Sequence, residues 1–309
     1  MNQIENVAII GAGALGLLFG SKLFSAPDVR TFFIADGSRA DRLEKEPLSY
    51  NGVIYPIPVL RPEDGAQTMD LIIVAVKHSQ LEEAVAGLRP IVRKDTIFIS
   101  LLNGLESEET IAKVYGKEHV LYAIAVGMDT IRDGREAYGK AEGKIVFGNE
   151  MNTTYSEDVQ RVKALFEKAG IPHDVPENML RAMWWKFMVN VSINQMSAIL
   201  RADYGVFQTN PDVRAVMDTL TDEVIAISVP AGIGLNDADK KQWYQVLGSL
   251  GPQGKTSMLQ DVEQGRPTEV DLFAGKVVRL GKEYGIPTPM NAAVLKIIRA
   301  MDSMANAVK

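Results

Sequence analysis

The chain has 309 residues, 46% hydrophobic and 23% charged, with a formal charge of -6. These are the proportions of an ordinary globular protein, and the length exceeds the roughly 250 residues at which a single core stops growing, so two domains are expected. The acidic balance and the absence of a basic run exclude nucleic acid as a partner. Zero cysteines exclude disulfides and thiolate metal sites, and His78, His119 and His173 are too scattered to form a metal motif. No apolar run approaches the roughly 20 residues of a membrane span, and an apolar strand pattern opens at Asn6 without a basic leader, so a cytoplasmic location is expected.

In chain order, Val7 to Ile10, Thr31 to Ala35, Leu71 to Val76, Ile97 to Leu102 and Val120 to Val126 are short, continuous apolar runs. Runs of this kind fit strands buried on both faces of a parallel sheet. Between them, Ala14 to Leu23, Gln80 to Leu88 and Glu106 to Tyr115 have the length and periodicity of crossover helices. Residues 128 to 148, punctuated by Gly134, Gly139 and Gly143, read as one or two antiparallel hairpins at the sheet's edge. A helix over Glu157 to Ala169 follows. The segment from Gly170 to Pro176 carries two prolines, and strand signals vanish beyond it. The boundary is therefore placed near Pro176, with residues 1–176 forming an α/β domain and 177–309 an all-helical one.

Gly11-Ala-Gly13-Ala14-Leu15-Gly16 follows the first strand and opens the first helix. In that context the glycines supply a tight turn, close backbone approach to a pyrophosphate and helix amides aimed at it. The N-terminal half is thus read as a Rossmann dinucleotide-binding domain. Asp36, 20 positions after Gly16, suits the ribose hydroxyls of NAD and repels the 2′-phosphate of NADP. Ser38 and Arg39 suit that phosphate instead, with Asp36 turned to solvent, so cofactor choice stays open. Lys77 and Asn103 each follow an apolar strand, where open α/β sheets bind ligands; the alternative is a solvated lysine and a turn-capping asparagine. His78 reads as a loop residue.

The stretch from Met183 to Leu200 reads as a helix apolar on most faces, which marks a buried element. Its polar exceptions Lys186, Asn190 and Asn194 fall at i, i+4 and i+8, one stripe. A buried lysine has its pKa lowered by desolvation, which suits proton transfer near neutral pH. The alternative is a lysine that snorkels to solvent beside two amides serving the backbone. Near the C-terminus, Ser257 stands out in Thr256-Ser-Met-Leu-Gln-Asp261, and Glu269 in Arg266-Pro-Thr-Glu-Val-Asp271. Pro267 and Thr268 look like a helix start, so Glu269 is equally a first-turn carboxylate. Gly254-Lys255-Thr256 is not a phosphate loop, since Ser249 stands where that motif needs its first glycine.

Together these pieces resemble the ketopantoate reductase family (2-dehydropantoate 2-reductase), from Val7 to Pro289. The resemblance rests on the glycine motif, the Val-Lys and Asn-Gly pairs after strands, the Lys-x-x-x-Asn-x-x-x-Asn helix, and Ser-Met-x-x-Asp followed by Arg-x-Thr-Glu-x-Asp. It implies reduction of 2-dehydropantoate to pantoate by NADPH, for pantothenate and coenzyme A biosynthesis. In that scheme Lys186 is the general acid and Glu269 assists at the substrate oxygen. Asn190, Asn194 and Ser257 hold the pantoyl end, while Lys77 and Asn103 serve the cofactor and active site. The family commonly carries an arginine at the end of the second strand to grip the 2′-phosphate; Asp36 replaces it here, which raises NADH as the cofactor. A reductase of another branched 2-keto acid and a non-catalytic dinucleotide sensor are the rival readings. A homodimer is compatible with the sequence, and no single surface stripe marks its contact.

Overall fold

The computed structural model describes residues 3–65 and 67–307, which form two compact units, Met1–Leu180 and Arg181–Lys309. In the first unit, β1 (Asn6–Ile10), α1 (Ala14–Phe24), β2 (Arg30–Ile34) and α2 (Gly37–Lys45) are followed by three short strands. These are β3 (Leu48–Tyr50), β4 (Val53–Tyr55) and β5 (Val59–Leu60). Then come β6 (Leu71–Val74), α3 (Leu81–Ala86), β7 (Ile97–Ser100), α4 (Ser107–Tyr115) and β8 (Val120–Met128). The unit continues with β9 (Ile131–Asp133), β10 (Glu136–Tyr138), β11 (Glu142–Gly148), α5 (Glu157–Lys168) and β12 (His173–Asp174).

An eight-stranded sheet runs in the order β12-β11-β8-β7-β6-β1-β2-β5. Pairing is parallel from β5 through β8, and β11 is antiparallel to β8. Successive strand residues point to opposite faces, and the core divides accordingly. Val7, Ile9, Leu71, Ile73, Ile97 and Ile99 belong to one apolar cluster with Leu17, Leu18 and Leu23 of α1. Ala8, Ile10, Ile72, Val74 and Phe98 belong to another with Leu81 and Val85 of α3 and Ile111 of α4. Covering both faces accounts for the unbroken apolar runs. Asp70, 4% exposed, accepts the backbone N–H groups of Glu5 (2.9 Å) and Asn6 (2.7 Å) and pairs with Arg93, so it ties the start of β6 to that of β1.

The reading of residues 128 to 148 as the sheet's edge is corrected. β11 lies inside the main sheet, between β8 and β12. The β9–β10 hairpin leaves it for a second sheet of order β4-β3-β10-β9, where Glu136 stands opposite Ser49 in a parallel pairing. A pairing across that sequence distance has no local signature. The helix α2 and the strands β3, β4 and β5 also lie where no regular element was expected. In α2 only Ala40 is buried, and the strands are two or three residues long, too short for a period to register. His78 opens a 3-10 turn, His78–Gln80, instead of lying in an irregular loop.

The second unit is helical. It comprises most of α6 (Met179–Leu200), then α7 (Tyr204–Thr209), α8 (Pro211–Ser228), α9 (Asp237–Ser249), α10 (Ser257–Glu263), α11 (Lys276–Tyr284) and α12 (Pro289–Ala307). Its helix starts are written in side-chain chemistry. Asn210 caps α8 ahead of Pro211, and Asn236 with Asp239 forms a capping box on α9. Among the described residues no helix is long and apolar enough to cross a membrane, and no group of acidic or histidine side chains could hold a metal ion.

Candidate active site

In the first unit the parallel neighbours β2, β1, β6 and β7 bring their C-terminal ends to one edge of the sheet. The glycine loop leaves β1 there, Asp36 follows β2, Lys77 follows β6 and Asn103 follows β7. The sequence thus places these four features on one edge. Gly11 has φ +104, and a Cβ on it would lie 2.4 Å from the carbonyl oxygen of Ala75. On Gly16 a Cβ would lie 1.9 Å from the carbonyl oxygen of Gly11, so α1 packs directly on the loop. Gly13, the N-cap of α1, has only the Ala75 oxygen at 4.0 Å. Ala14 and Leu15 open the helix, where amides lack intrahelical partners. Two glycines required by close packing and a third with open space beside it form a cradle that fits a dinucleotide pyrophosphate.

Asp36 follows the strand by two residues and is the N-cap of α2. It is exposed, and its carboxylate makes no capping hydrogen bond. Arg39 lies exposed in the first turn of the same helix. Lys77 is also exposed, at the N-cap of the 3-10 turn, whereas Asn103 is half-buried next to Gly104 at φ +95. A cation absent from the sequence reading reaches the loop from β9: Arg132 donates from Nη1 to the carbonyl of Ala12.

In the second unit the 22-residue α6 carries Lys186, Asn190 and Asn194 in one row about 12 Å long. Lys186 and Asn190 are half-buried and Asn194 is 6% exposed. Other polar side chains of this helix have partners in the protein. Arg181 donates to Asp239 (2.7 and 2.9 Å), and the indole N–H of Trp185 donates to the Asp239 carbonyl. Ser192 donates to the Val189 carbonyl, and Gln195 and Ser197 are also bonded. Among the described residues, the side-chain amides of Asn190 and Asn194 are paired with no other protein group.

Two links tie this row to the C-terminal candidates. Ser197 donates to the Asn194 carbonyl (3.0 Å) and shares a hydrogen bond with the hydroxyl of Thr256. Thr256 caps α10 by accepting the Leu259 N–H, so Ser257 stands exposed in the first helical position beside it. The second link is Gln195, fully buried. Its Oε1 accepts the N–H of Ala274 at 3.0 Å, and its Nε2 donates to the Val191 carbonyl and toward Asn291 Oδ1. Ala274 belongs to a turn of π-helix, Asp271–Gly275, in which the Gly275 N–H reaches back to the Val270 carbonyl. Such turns are rare and recur at functional sites.

Glu269, half-buried, stands just ahead of that turn. The expectation that Pro267 and Thr268 begin a helix is corrected, since residues 266–269 are irregular. Thr268 directs its N–H and hydroxyl to Asp302 of α12 (2.7 Å from the hydroxyl), and Arg266 is held by Asp261 at 2.6 Å. Anchored on both sides, Glu269 is not a first-turn carboxylate. Gln195 escaped the sequence reading, although an amide inside an apolar helix next to Asn194 was its visible signal.

The description "Ketopantoate reductase PanE/ApbA" belongs to a family model that matches residues 7–151, and its C-terminal counterpart matches residues 178–302. A 2-dehydropantoate 2-reductase of Archaeoglobus fulgidus is 28% identical over 305 residues, covering 97% of this chain and 99% of that one. The solved PanE/ApbA family ketopantoate reductase of Ralstonia eutropha superposes with a TM-score of 0.83 at 26% identity, covering 97% and 99% of the two chains. A D-mandelate dehydrogenase solved with NADH and anilino(oxo)acetate shares the fold, with a TM-score of 0.87 at 22% identity and the same coverage. The glycine cradle, the helix row and the Thr256 to Glu269 segment all lie within the matched stretches, and the chain belongs to the ketopantoate reductase family.

Proposed function

We propose that the protein reduces 2-dehydropantoate to pantoate with a nicotinamide dinucleotide, Lys186 acting as general acid. In this reading residues 1–176 form the cofactor-binding domain and 177–309 the catalytic, substrate-binding domain. The carrying observation is the row on α6. Two amides without protein partners follow a lysine at one-turn intervals, on a helix that is buried from Phe187 to Ala198 except at Val189 and Asn190. Asn194 is buried and buried polar groups normally find partners; a substrate with a carboxylate, a ketone and a hydroxyl supplies one to it and to the half-buried Asn190.

When bound, the dinucleotide delivers a hydride from its nicotinamide ring to the C2 carbonyl carbon. Lys186 stabilises the negative charge developing on the carbonyl oxygen and gives that oxygen a proton, which completes the alcohol. Asn190, Asn194 and Ser257 orient the carboxylate and hydroxyl ends. Glu269, fixed between Asp302 and the π turn, accepts a hydrogen bond from the substrate hydroxyl. On the cofactor side Gly11, Gly13, Ala14, Leu15 and Gly16 receive the pyrophosphate, and Lys77 and Asn103 stand at the same sheet edge. Asp36 accepts from the ribose hydroxyls, so NADH is used at least as well as NADPH.

Steady-state oxidation of NADH and NADPH with 2-dehydropantoate, beside a panel including phenylglyoxylate, tests each part. The expected outcome is selectivity for 2-dehydropantoate and a loss of roughly 100-fold or more in kcat for Lys186→Ala. Turnover of another keto acid in preference replaces the substrate. Equal rates for the variant remove the acid role. A much higher specificity constant with NADPH removes the role given to Asp36.

A further inference from the structure

Arg132, on β9, is set among like charges. Its guanidinium donates from Nε to the Gly134 carbonyl (3.0 Å) and from Nη1 to the Ala12 carbonyl inside the glycine loop. Two of its five N–H donors are so used, and both acceptors are neutral. Burial, then the positive charges of Arg135, Arg39 and Arg42, lower its pKa. Of these four cations, among the described residues, only Arg135 has a carboxylate within ion-pair range, Glu46 at 2.7 Å. Arg39 and Arg42 come from α2, which follows β2, the strand beside β1.

Two elements distant in sequence, α2 and the β9–β10 hairpin, therefore concentrate positive charge beside the loop that opens α1. A half-buried arginine held at neutral carbonyls and facing three others is electrostatically unfavourable by itself. A multiply charged anion at the loop removes the conflict, and the loop's geometry admits one of a definite kind.

We infer that Arg132 is a direct ligand of the dinucleotide's pyrophosphate, delivered to the glycine loop by the second sheet, with Arg39 and Arg42 raising the local positive potential. This rests on the proposed use of a nicotinamide dinucleotide. It accounts for why the β9–β10 hairpin leaves the main sheet, since pairing with β3 carries Arg132 to Ala12. Both NADH and NADPH carry the pyrophosphate, so the contact serves either cofactor.

The test is fluorescence titration of NADH and NADPH, without keto acid, at low and high salt. It compares wild type with Arg132→Met, Arg132→Lys and Arg42→Gln. Arg132→Met is expected to weaken both dinucleotides about tenfold or more, about 1.4 kcal/mol, and to flatten the dependence of Kd on salt. Arg132→Lys regains part of the affinity. Arg42→Gln, at an exposed position, weakens both cofactors at low salt by a smaller factor and keeps the test alive if Arg132→Met does not fold.

Wild-type affinity in Arg132→Met overturns the inference, as does a loss confined to NADPH, which would move the arginine to the 2′-phosphate. Arg132→Lys as weak as Arg132→Met, with wild-type salt dependence in both, makes Arg132 a brace for Ala12 and also overturns it. A wild type that binds neither dinucleotide defeats the proposed function itself, whereas binding by wild type and variant alike defeats this inference alone.

Discussion

Replacing Gln195 by leucine isolates the link between α6 and the π turn. The two side chains are similar in size, so the change removes hydrogen bonds more than volume. Leucine leaves the Ala274 N–H without its acceptor at 3.0 Å, in surroundings where Gln195, Phe273 and Ala274 are all fully buried. An unpaired buried donor costs about 1–3 kcal/mol. Losing the Nε2 contacts adds little, since the Val191 carbonyl retains its helical environment and the Asn291 contact is long at 3.4 Å. The expected net loss is about 2 kcal/mol, a fall of roughly 5–10 °C in Tm for a unit of this size.

Gln195→Glu separates the acceptor from the donor. Its carboxylate still accepts the Ala274 N–H, but its second oxygen faces the Val191 carbonyl, so burial raises its pKa above the unfolded value of about 4.3. The destabilisation is therefore small below that value and grows as pH rises through the folded pKa. Urea unfolding of both variants from pH 4 to 8 reads these differences. Because Glu269 precedes the π turn, Gln195→Leu should also lower kcat while leaving the Kd for NADH unchanged. Wild-type stability in Gln195→Leu, or a pH-independent deficit in Gln195→Glu, would refute this account of the link.

Two glycines of one loop should differ in stability when given the same methyl group. Gly13→Ala meets nothing closer than 4.0 Å and has an ordinary φ of -79°, so its melting temperature should match wild type while dinucleotide affinity falls about tenfold or more. Gly16→Ala places a carbon 1.9 Å from a backbone oxygen and should lose about 1–3 kcal/mol of stability as well, readable by thermal denaturation beside the same binding titration. Asp70→Ala strands two N–H groups and leaves Arg93 with Asp95 as its one carboxylate partner among the described residues. Arg93 is partly exposed, which limits the loss to about 2–3 kcal/mol; a melting temperature within 2 °C of wild type, about 0.5–1 kcal/mol, would contradict the bonding described.

How much of the fold is legible in the sequence depends on how local its causes are. The central strands are visible because each is buried on both faces, which forces Val, Ile and Leu at consecutive positions. The helix row is visible because a 3.6-residue period places Lys186, Asn190 and Asn194 together whatever surrounds them. The second sheet is not visible, because Glu136 opposite Ser49 is a long-range pairing and its strands are three residues long. Glu269 is visible in its residue pattern but its setting is not, since Thr268 directs its donors to Asp302, thirty-four positions away. Arg132 had no local mark at all. Its significance comes from Ala12, Arg39 and Arg42, which only the folded first unit brings near it.

The polar residues of α6 divide between those that fasten the helix and those that the proposed function assigns to the substrate. Arg181 and Trp185 fasten its start to Asp239, the N3 member of the α9 capping box. Further along, Gln195 reaches the π turn, and through Asn291 it meets Glu223, whose carboxylate accepts the N–H groups of Met290 and Asn291 at the start of α12. Ser197 reaches the cap of α10. Each of these contacts fixes an element bearing a candidate residue, or the one on which such an element rests. Asn190 and Asn194 lie between them in sequence and fix nothing. In the proposed function, an amide on so tightly fastened a helix, left without a protein partner, is positioned by its neighbours and meets the keto acid. Replacing Asn194 by leucine should therefore barely reduce stability, because no bond within the protein is lost, yet it should raise KM for the keto acid about tenfold or more. A marked loss of stability with unchanged KM would reverse that division of labour.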